Sequence, residues 1–94
     1  MDKKLKRIVK LIIEDINPQK IILFGSRAKE KSSDNSDFDV AIDAKNIRFR
    51  DKRKVRERID EIIGLHSIDL IFLNDVDAEF KDIILRTGKV IYER

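Results

Sequence analysis

Apolar positions in the first half of the chain follow two different spacings. Between residues 3 and 16 they recur every three or four positions, which is the period of one helix face. Asn17-Pro18 ends this predicted helix, because proline cannot continue a helix. Residues 20–24 form a short continuous apolar run, and residues 37–43 alternate apolar with polar side chains. Both segments are therefore predicted strands.

The second half continues the alternation of helices and strands. A helix is predicted over residues 48–64, but its apolar stripe is firm only from Val55 onward, and Phe49 does not fall on that stripe. Further predicted elements are a buried strand over residues 67–73, a short helix over 77–87 and an edge strand over 89–92. This order predicts one α/β domain over residues 1–94, in which helices cover at least one sheet face.

Composition narrows the chemistry that the chain can support. It has no cysteine and a single histidine, so zinc-thiolate sites and sites with two histidines are excluded within one chain. Any metal must be held by oxygen ligands, which favours magnesium or manganese. No apolar run approaches the roughly 20 residues of a membrane span, so we expect a cytoplasmic protein with no membrane contact.

Gly25-Ser26 lies where the first predicted strand ends, and a short turn or helical piece is predicted to follow. Backbone N–H groups at such a position suit an anion such as phosphate. Glycine permits close approach of the backbone, and the serine hydroxyl is a further donor. Arg27 is a candidate phosphate ligand, with a solvated arginine as the alternative. Taken alone, "FGS" also fits an ordinary turn at the end of a strand.

Three aspartates are the second candidate group. Asp37 and Asp39 are two positions apart on a predicted strand, so both side chains leave the same face. Asp69 lies within a very apolar predicted strand, where a carboxylate is costly unless it is compensated. If the two strands are neighbours, the three carboxylates converge beside the Gly25 turn. Such an arrangement fits a site with two magnesium ions for phosphoryl or nucleotidyl transfer.

Gly25-Ser26, then ten residues, then Asp37 and Asp39 resembles the signature of the polymerase-β-like nucleotidyltransferases. The shortness of the chain makes it most similar to their minimal nucleotidyltransferase (MNT) group, whose members commonly pair with a HEPN partner in toxin–antitoxin modules. The resemblance implies the fold of that superfamily, a small mixed β-sheet with flanking helices. It also implies that Gly25, Ser26 and Arg27 bind ATP, that Asp37, Asp39 and Asp69 bind the metals, and that Asp69 is the candidate base.

By this resemblance the chain is expected to be a magnesium-dependent nucleotidyltransferase. It would transfer AMP from ATP to a hydroxyl, expected to be a tyrosine, of a HEPN toxin with which it forms a hetero-oligomer. Two alternatives stay open: a non-catalytic antitoxin that acts by binding, and transfer to a small molecule or an RNA end. A basic run over residues 48–58 is explained most simply as a solvated helix face, so nucleic acid is not an expected partner.

Overall fold

The computed structural model of the protein describes residues 3–25, 38–63 and 68–94. Its elements are α1 (Lys3–Ile16), β1 (Lys20–Phe24), β2 (Phe38–Asp43), α2 (Phe49–Ile63), β3 (Ile68–Phe72), a single 3-10 turn (Leu73–Asp75), α3 (Ala78–Thr87) and β4 (Lys89–Glu93). The predicted helices and strands that fall within these ranges are therefore confirmed, in the predicted order. The predicted helical piece after Gly25 and the loop at 29–36 lie outside the described residues.

The four strands form one mixed sheet in the order β3-β2-β1-β4. Strand β1 pairs antiparallel with both of its neighbours, whereas β2 and β3 are parallel. Parallel neighbours cannot be joined by a tight hairpin, and here the connection between them contains α2. The predicted small mixed sheet with flanking helices is confirmed.

The sheet has two unequal faces, which we call the two-helix face and the one-helix face. On the two-helix face, α1 and α2 pack their apolar stripes against alternate residues of the strands. The buried residues that form this layer include Ile8, Ile12, Val55 and Ile59 from the helices and Ile21, Val40, Ile42, Leu70 and Phe72 from the strands.

The one-helix face carries a smaller apolar cluster. Ile84 of α3 is buried against Ile22, Ala41 and Leu73. A Cβ atom added to Gly88, directly after α3, would lie 2.5 Å from Cγ2 of Ile22 and 2.7 Å from the carbonyl oxygen of Ile84. Glycine at this position therefore allows the end of α3 to approach β1 closely.

Helix α2 begins at Phe49, whose side chain is 79% exposed. This exposure explains why no apolar stripe marked the start of the helix in the sequence. Several cations of the basic run bind within the fold. Nζ of Lys52 lies 2.8 Å from Oδ2 of Asp75, and the Arg58 guanidinium lies 2.6 Å from Oδ1 of Asp15, which joins α2 to α1. Part of the predicted solvated face is thus structural.

No helix in the described ranges is both long enough and apolar enough to cross a membrane.

Candidate functional site

The two described aspartates of the candidate site are neighbours across the sheet. In the parallel pairing of β2 with β3, Asp39 lies opposite Asp69. On the other side of β2, Asp39 lies opposite Phe24, the last residue of β1. Because side chains alternate between faces and Val40 and Leu70 belong to the two-helix face, both aspartates belong to the one-helix face. Phe24, Asp39 and Asp69 therefore form one row at the same end of the sheet.

Gly25 follows Phe24 with a φ of +74°, a backbone conformation that favours glycine. A Cβ atom added there would overlap Oδ2 of Asp39 and lie 3.0 Å from its Cγ. The Asp39 carboxylate is thus packed directly against the Gly25 Cα. This glycine has two local roles: it makes the left-handed turn at the end of β1, and it leaves room for a carboxylate.

The surroundings of the row differ from one strand to the next. Asp39 is half-buried, whereas Asp69 is exposed on the outer strand of the sheet. Beneath the row, Ile22, Ala41 and Ile71 form an apolar layer on the same face. The carboxylates therefore stand at the border between a small core and solvent, where a charged ligand can reach them without crossing the core.

Two aromatic rings border the row on the β1 side. The ring of Phe24 meets that of Phe80, from α3, edge to face, with centroids 6.3 Å apart and planes at 84°. Phe80 remains 39% exposed. On the opposite side, at the outer edge of β3, lies a pocket of about 220 Å³ that is lined by Arg56, Ile59, Asp60, Ile68, Asp69 and Leu70.

Arg56 is held at that outer edge by two contacts. Its Nη2 donates to the Leu70 carbonyl oxygen at 3.2 Å, and its guanidinium lies 5.5 Å from the centroid of the Phe72 ring. Strand β3 is the outer strand of the described sheet and pairs with no further strand on that side. The hydrogen bond from Arg56 therefore occupies a carbonyl oxygen of this edge strand. A fixed cation therefore stands beside the strand that carries Asp69.

The structure brings together three of the residues predicted from the sequence: Gly25, Asp39 and Asp69. Ser26, Arg27 and Asp37, the other predicted site residues, lie outside the described residues. In the part of the chain that is described, no group of three potential metal-binding side chains occurs. Two carboxylates in register on adjacent strands are nevertheless the oxygen donors that magnesium prefers, so the residues present fit that ion.

Sequence reasoning missed two features of the site. It assigned Gly25 to phosphate binding but did not foresee the contact with Asp39, because the pairing register of β1 and β2 is not encoded in either strand alone. It also did not connect Phe80 with the site. The available signal was the short helix at 77–87, which had to pack on one of the two sheet faces.

Comparisons with known proteins agree with this geometry. Residues 6–94 match the family described as "Polymerase beta, Nucleotidyltransferase". A solved toxin–antitoxin structure with AMP-PNP is 22% identical, with a TM-score of 0.81 over 99% of this chain and 75% of that one. A Shewanella oneidensis structure, described as a tri-AMPylated HEPN toxin in complex with an MNT antitoxin, is 20% identical, with a TM-score of 0.74 over 97% and 71% of the two chains.

A third similar structure is that of the toxin–antitoxin pair MntA-HepT, at 22% identity and a TM-score of 0.73, covering 97% of this chain and 71% of that one. At these identities the likeness establishes the fold. A comparison with curated protein sequences found no match.

Proposed function

The chain belongs to the polymerase beta nucleotidyltransferase family, as its sequence predicted, and from this premise we propose that it is a magnesium-dependent adenylyltransferase. Its substrate would be ATP, its acceptor a tyrosine hydroxyl of a HEPN toxin, and its role that of the antitoxin. The observation that carries this proposal is the row at the end of the sheet, in which Asp39 and Asp69 lie in register beside the Gly25 turn.

The residues of the proposed site fall into two groups, one that would bind the metal ions and one that would bind the phosphates. Asp37, Asp39 and Asp69 would hold two magnesium ions, which supply charge neutralisation at the phosphates. The backbone at Gly25 and Ser26, with the Ser26 hydroxyl, would bind the triphosphate as donors. Arg27 would pair with a phosphate oxygen. The contact between Asp39 and Gly25 supports this division, because it holds a carboxylate directly against the proposed phosphate-binding turn.

The reaction exchanges one bond at the α-phosphorus for another. The acceptor oxygen forms a bond to the α-phosphorus while the bond to the leaving pyrophosphate breaks, and the acceptor proton passes to the Asp69 carboxylate. Attacking and leaving oxygens are roughly in line in such transfers. With pyrophosphate at the Gly25 turn on β1, the acceptor then approaches from β3, where the pocket at its outer edge includes Asp69.

The partner is proposed from the similar structures. Two of them are described as toxin–antitoxin structures, one of these with AMP-PNP, and a third holds an AMPylated HEPN toxin with its MNT antitoxin. A protein acceptor would account for an exposed Asp69 at the outer strand, since a bulky partner could reach it there.

The test uses this chain together with the HEPN protein that is proposed as its partner. With ATP and magnesium, we expect the partner to gain the mass of AMP on a tyrosine, and chelation of the magnesium to abolish the gain. The chain should also melt at a higher temperature with magnesium and ATP together, because ligands that bind only the native state stabilise it.

A partner that is neutralised without gaining AMP, equally well by the parent and by Asp39→Asn, would replace the proposal with an antitoxin that acts by binding alone. AMP found on RNA or on a small molecule, with the partner unmodified, would move the acceptor to another class of substrate.

A further inference from the structure

We propose that the exposed ring of Phe80 is the surface on which the purine base of the nucleotide stacks. This inference rests on the proposed use of ATP and adds to it the residue that recognises the base. It also addresses nucleotide preference, which the sequence leaves open.

Phe80 lies beside the carboxylate row rather than elsewhere on α3. Its ring contacts that of Phe24, and Phe24 is directly opposite Asp39 in the β1–β2 pairing. With 39% of the residue exposed, the ring is partly free to contact a ligand. Among the aromatic side chains that the structure describes, Phe24 and Phe80 lie on the one-helix face, Phe72 and Tyr92 pack on the other face, and Phe49 is on α2.

The position of Phe80 is fixed on both sides. Its backbone N–H donates to Oδ1 of Asp77, the cap of α3, at 2.8 Å. One turn later, Ile84 is buried in the small cluster, and Gly88 closes the helix against β1. A ring that stands on a backbone fixed in this way, and that already contacts Phe24, binds a flat ligand with little loss of conformational freedom.

The proposed placement of the phosphates allows the base of ATP to lie over the one-helix face. In the proposed reaction, pyrophosphate lies toward Gly25 and the acceptor approaches from β3. The base is joined to the α-phosphorus through one ribose, and this link is long enough to place the base over the one-helix face on the β1 side of the row, where Phe80 contacts Phe24. In the part of the chain that the structure describes, the exposed aromatic ring on that face is Phe80. Base–aromatic stacking is sequence-tolerant, and a phenyl ring offers no hydrogen bond that tells adenine from guanine.

Other apolar side chains near Phe80 suggest a different occupant. Ile83 is 42% exposed and Leu85 46% exposed on the same helix, so this surface could instead contact a protein. The contact of Phe80 with Phe24, which pairs with Asp39 across the sheet, favours the nucleotide, and Ile83 supplies a matched control of similar exposure.

The experiment compares two ligands that differ in whether they carry a base. Binding of magnesium-ATP and of magnesium-tripolyphosphate is measured by calorimetry for the parent, Phe80→Ala, Phe80→Trp and Ile83→Ala. We expect Phe80→Ala to weaken ATP binding roughly tenfold and to leave tripolyphosphate binding unchanged. Phe80→Trp should retain ATP binding, and Ile83→Ala should match the parent. GTP should bind the parent about as well as ATP, and pyrimidine nucleotides should bind less tightly.

Each other outcome has a defined meaning. A parent that binds neither ATP nor tripolyphosphate contradicts the proposed function and this inference with it. A parent that binds ATP, with Phe80→Ala binding it equally well, overturns only the inference. If Phe80→Ala weakens the binding of ATP and of tripolyphosphate equally, the ring supports the fold of the site and does not contact the base. Loss of ATP binding in Ile83→Ala to the same extent would assign the effect to general apolar contact rather than to stacking.

Discussion

The two faces of the sheet bury apolar side chains to very different extents. Within the described residues, the cluster of the two-helix face has thirteen buried members, and that of the one-helix face has four. The first face has two long helices over it, whereas the second has only the ten-residue α3. The carboxylate row lies on the second face. Most residues that stabilise the fold and the residues proposed to take part in the reaction therefore lie on opposite faces of one sheet.

This separation has a physical basis. A carboxylate loses hydration when it is buried, and the loss is compensated only by a cation or by donors. A row of carboxylates is therefore compatible with a thin, partly open layer and not with a closed core. The β-strand period allows both on one strand, because Val40 enters the large core while its neighbours Asp39 and Ala41 point the other way.

The largest expected effect comes from Asp39 on the one-helix face. Asp39→Asn should lower AMP transfer by at least roughly 100-fold, since it removes charge from the proposed metal site, while the urea midpoint changes little. Initial rates of transfer to the HEPN partner measure the loss. Asp43→Asn is the matched control, because Asp43 lies on the same strand and by alternation on the same face, at its other end. Similar losses in both variants would contradict a localised site.

A core substitution on the two-helix face should have the next largest effect. Ile12 is fully buried between α1 and the sheet, so Ile12→Ala should lower the free energy of unfolding by about 2–5 kcal/mol. Val90, which is 47% exposed on β4, serves as the comparison, and Val90→Ala should cost less than about 0.5 kcal/mol. Urea denaturation measures both. Equal costs would show that the outer part of the one-helix face contributes as much stability as the core.

Gly25→Ala should affect the site and the fold together. An alanine at a φ of +74° should lower the free energy of unfolding by about 1–2 kcal/mol, and its Cβ would displace the Asp39 carboxylate. We therefore expect a lower midpoint in urea and a loss of transfer greater than the loss of stability explains. Gly88→Ala, which crowds Ile22 and the Ile84 carbonyl, should destabilise the fold but retain transfer per folded molecule. A Gly25→Ala enzyme with normal turnover would show that Asp39 can move without consequence.

The smallest effect concerns the ion pair between the two long helices. The Asp15 side chain is 14% exposed and that of Arg58 is 43% exposed, and Nη1 of Arg58 lies 2.6 Å from Oδ1 of Asp15. Arg58→Met should therefore lower the free energy of unfolding by about 1 kcal/mol. Arg53→Met, which breaks an exposed pair with Glu57 within α2, should cost about 0.3–0.5 kcal/mol. Urea denaturation at low and high salt separates the two, because salt screens the exposed pair more. Equal costs at both salt concentrations would place the Asp15 pair among ordinary surface pairs.

Much of the fold could be predicted because local patterns determine it. The bounds of α1 and β1 agree with the predicted residues, since a stripe ended by Asn17-Pro18 and a short apolar run leave little freedom. The start of α2 could not be predicted, because its first residue, Phe49, packs on nothing in the core. In such a position, the amphipathic period carries no information about where the helix begins.

For the site, the sequence predicted residue types and their convergence, and the structure supplied the register. That Asp39 lies opposite Asp69 depends on how β2 and β3 align, and that the Asp39 carboxylate meets Gly25 depends on the β1–β2 pairing. Neither alignment can be derived from one strand, because a register is decided by many contacts along both partners. The functional roles of all six predicted site residues stay predictions: Gly25, Ser26, Arg27, Asp37, Asp39 and Asp69.

The parallel pairing of β2 with β3 has a consequence for the order of folding. Asp39 and Asp69 are far apart along the chain, and they meet only after the α2 crossover has closed. Closing such a loop costs chain entropy before the contacts that compensate it can form, so non-local pairing of this kind is intrinsically slow. An intermediate with only β1 and β2 paired would carry Gly25 and Asp39 but lack the neighbouring acid. The carboxylate row would then be complete only in chains that have finished folding.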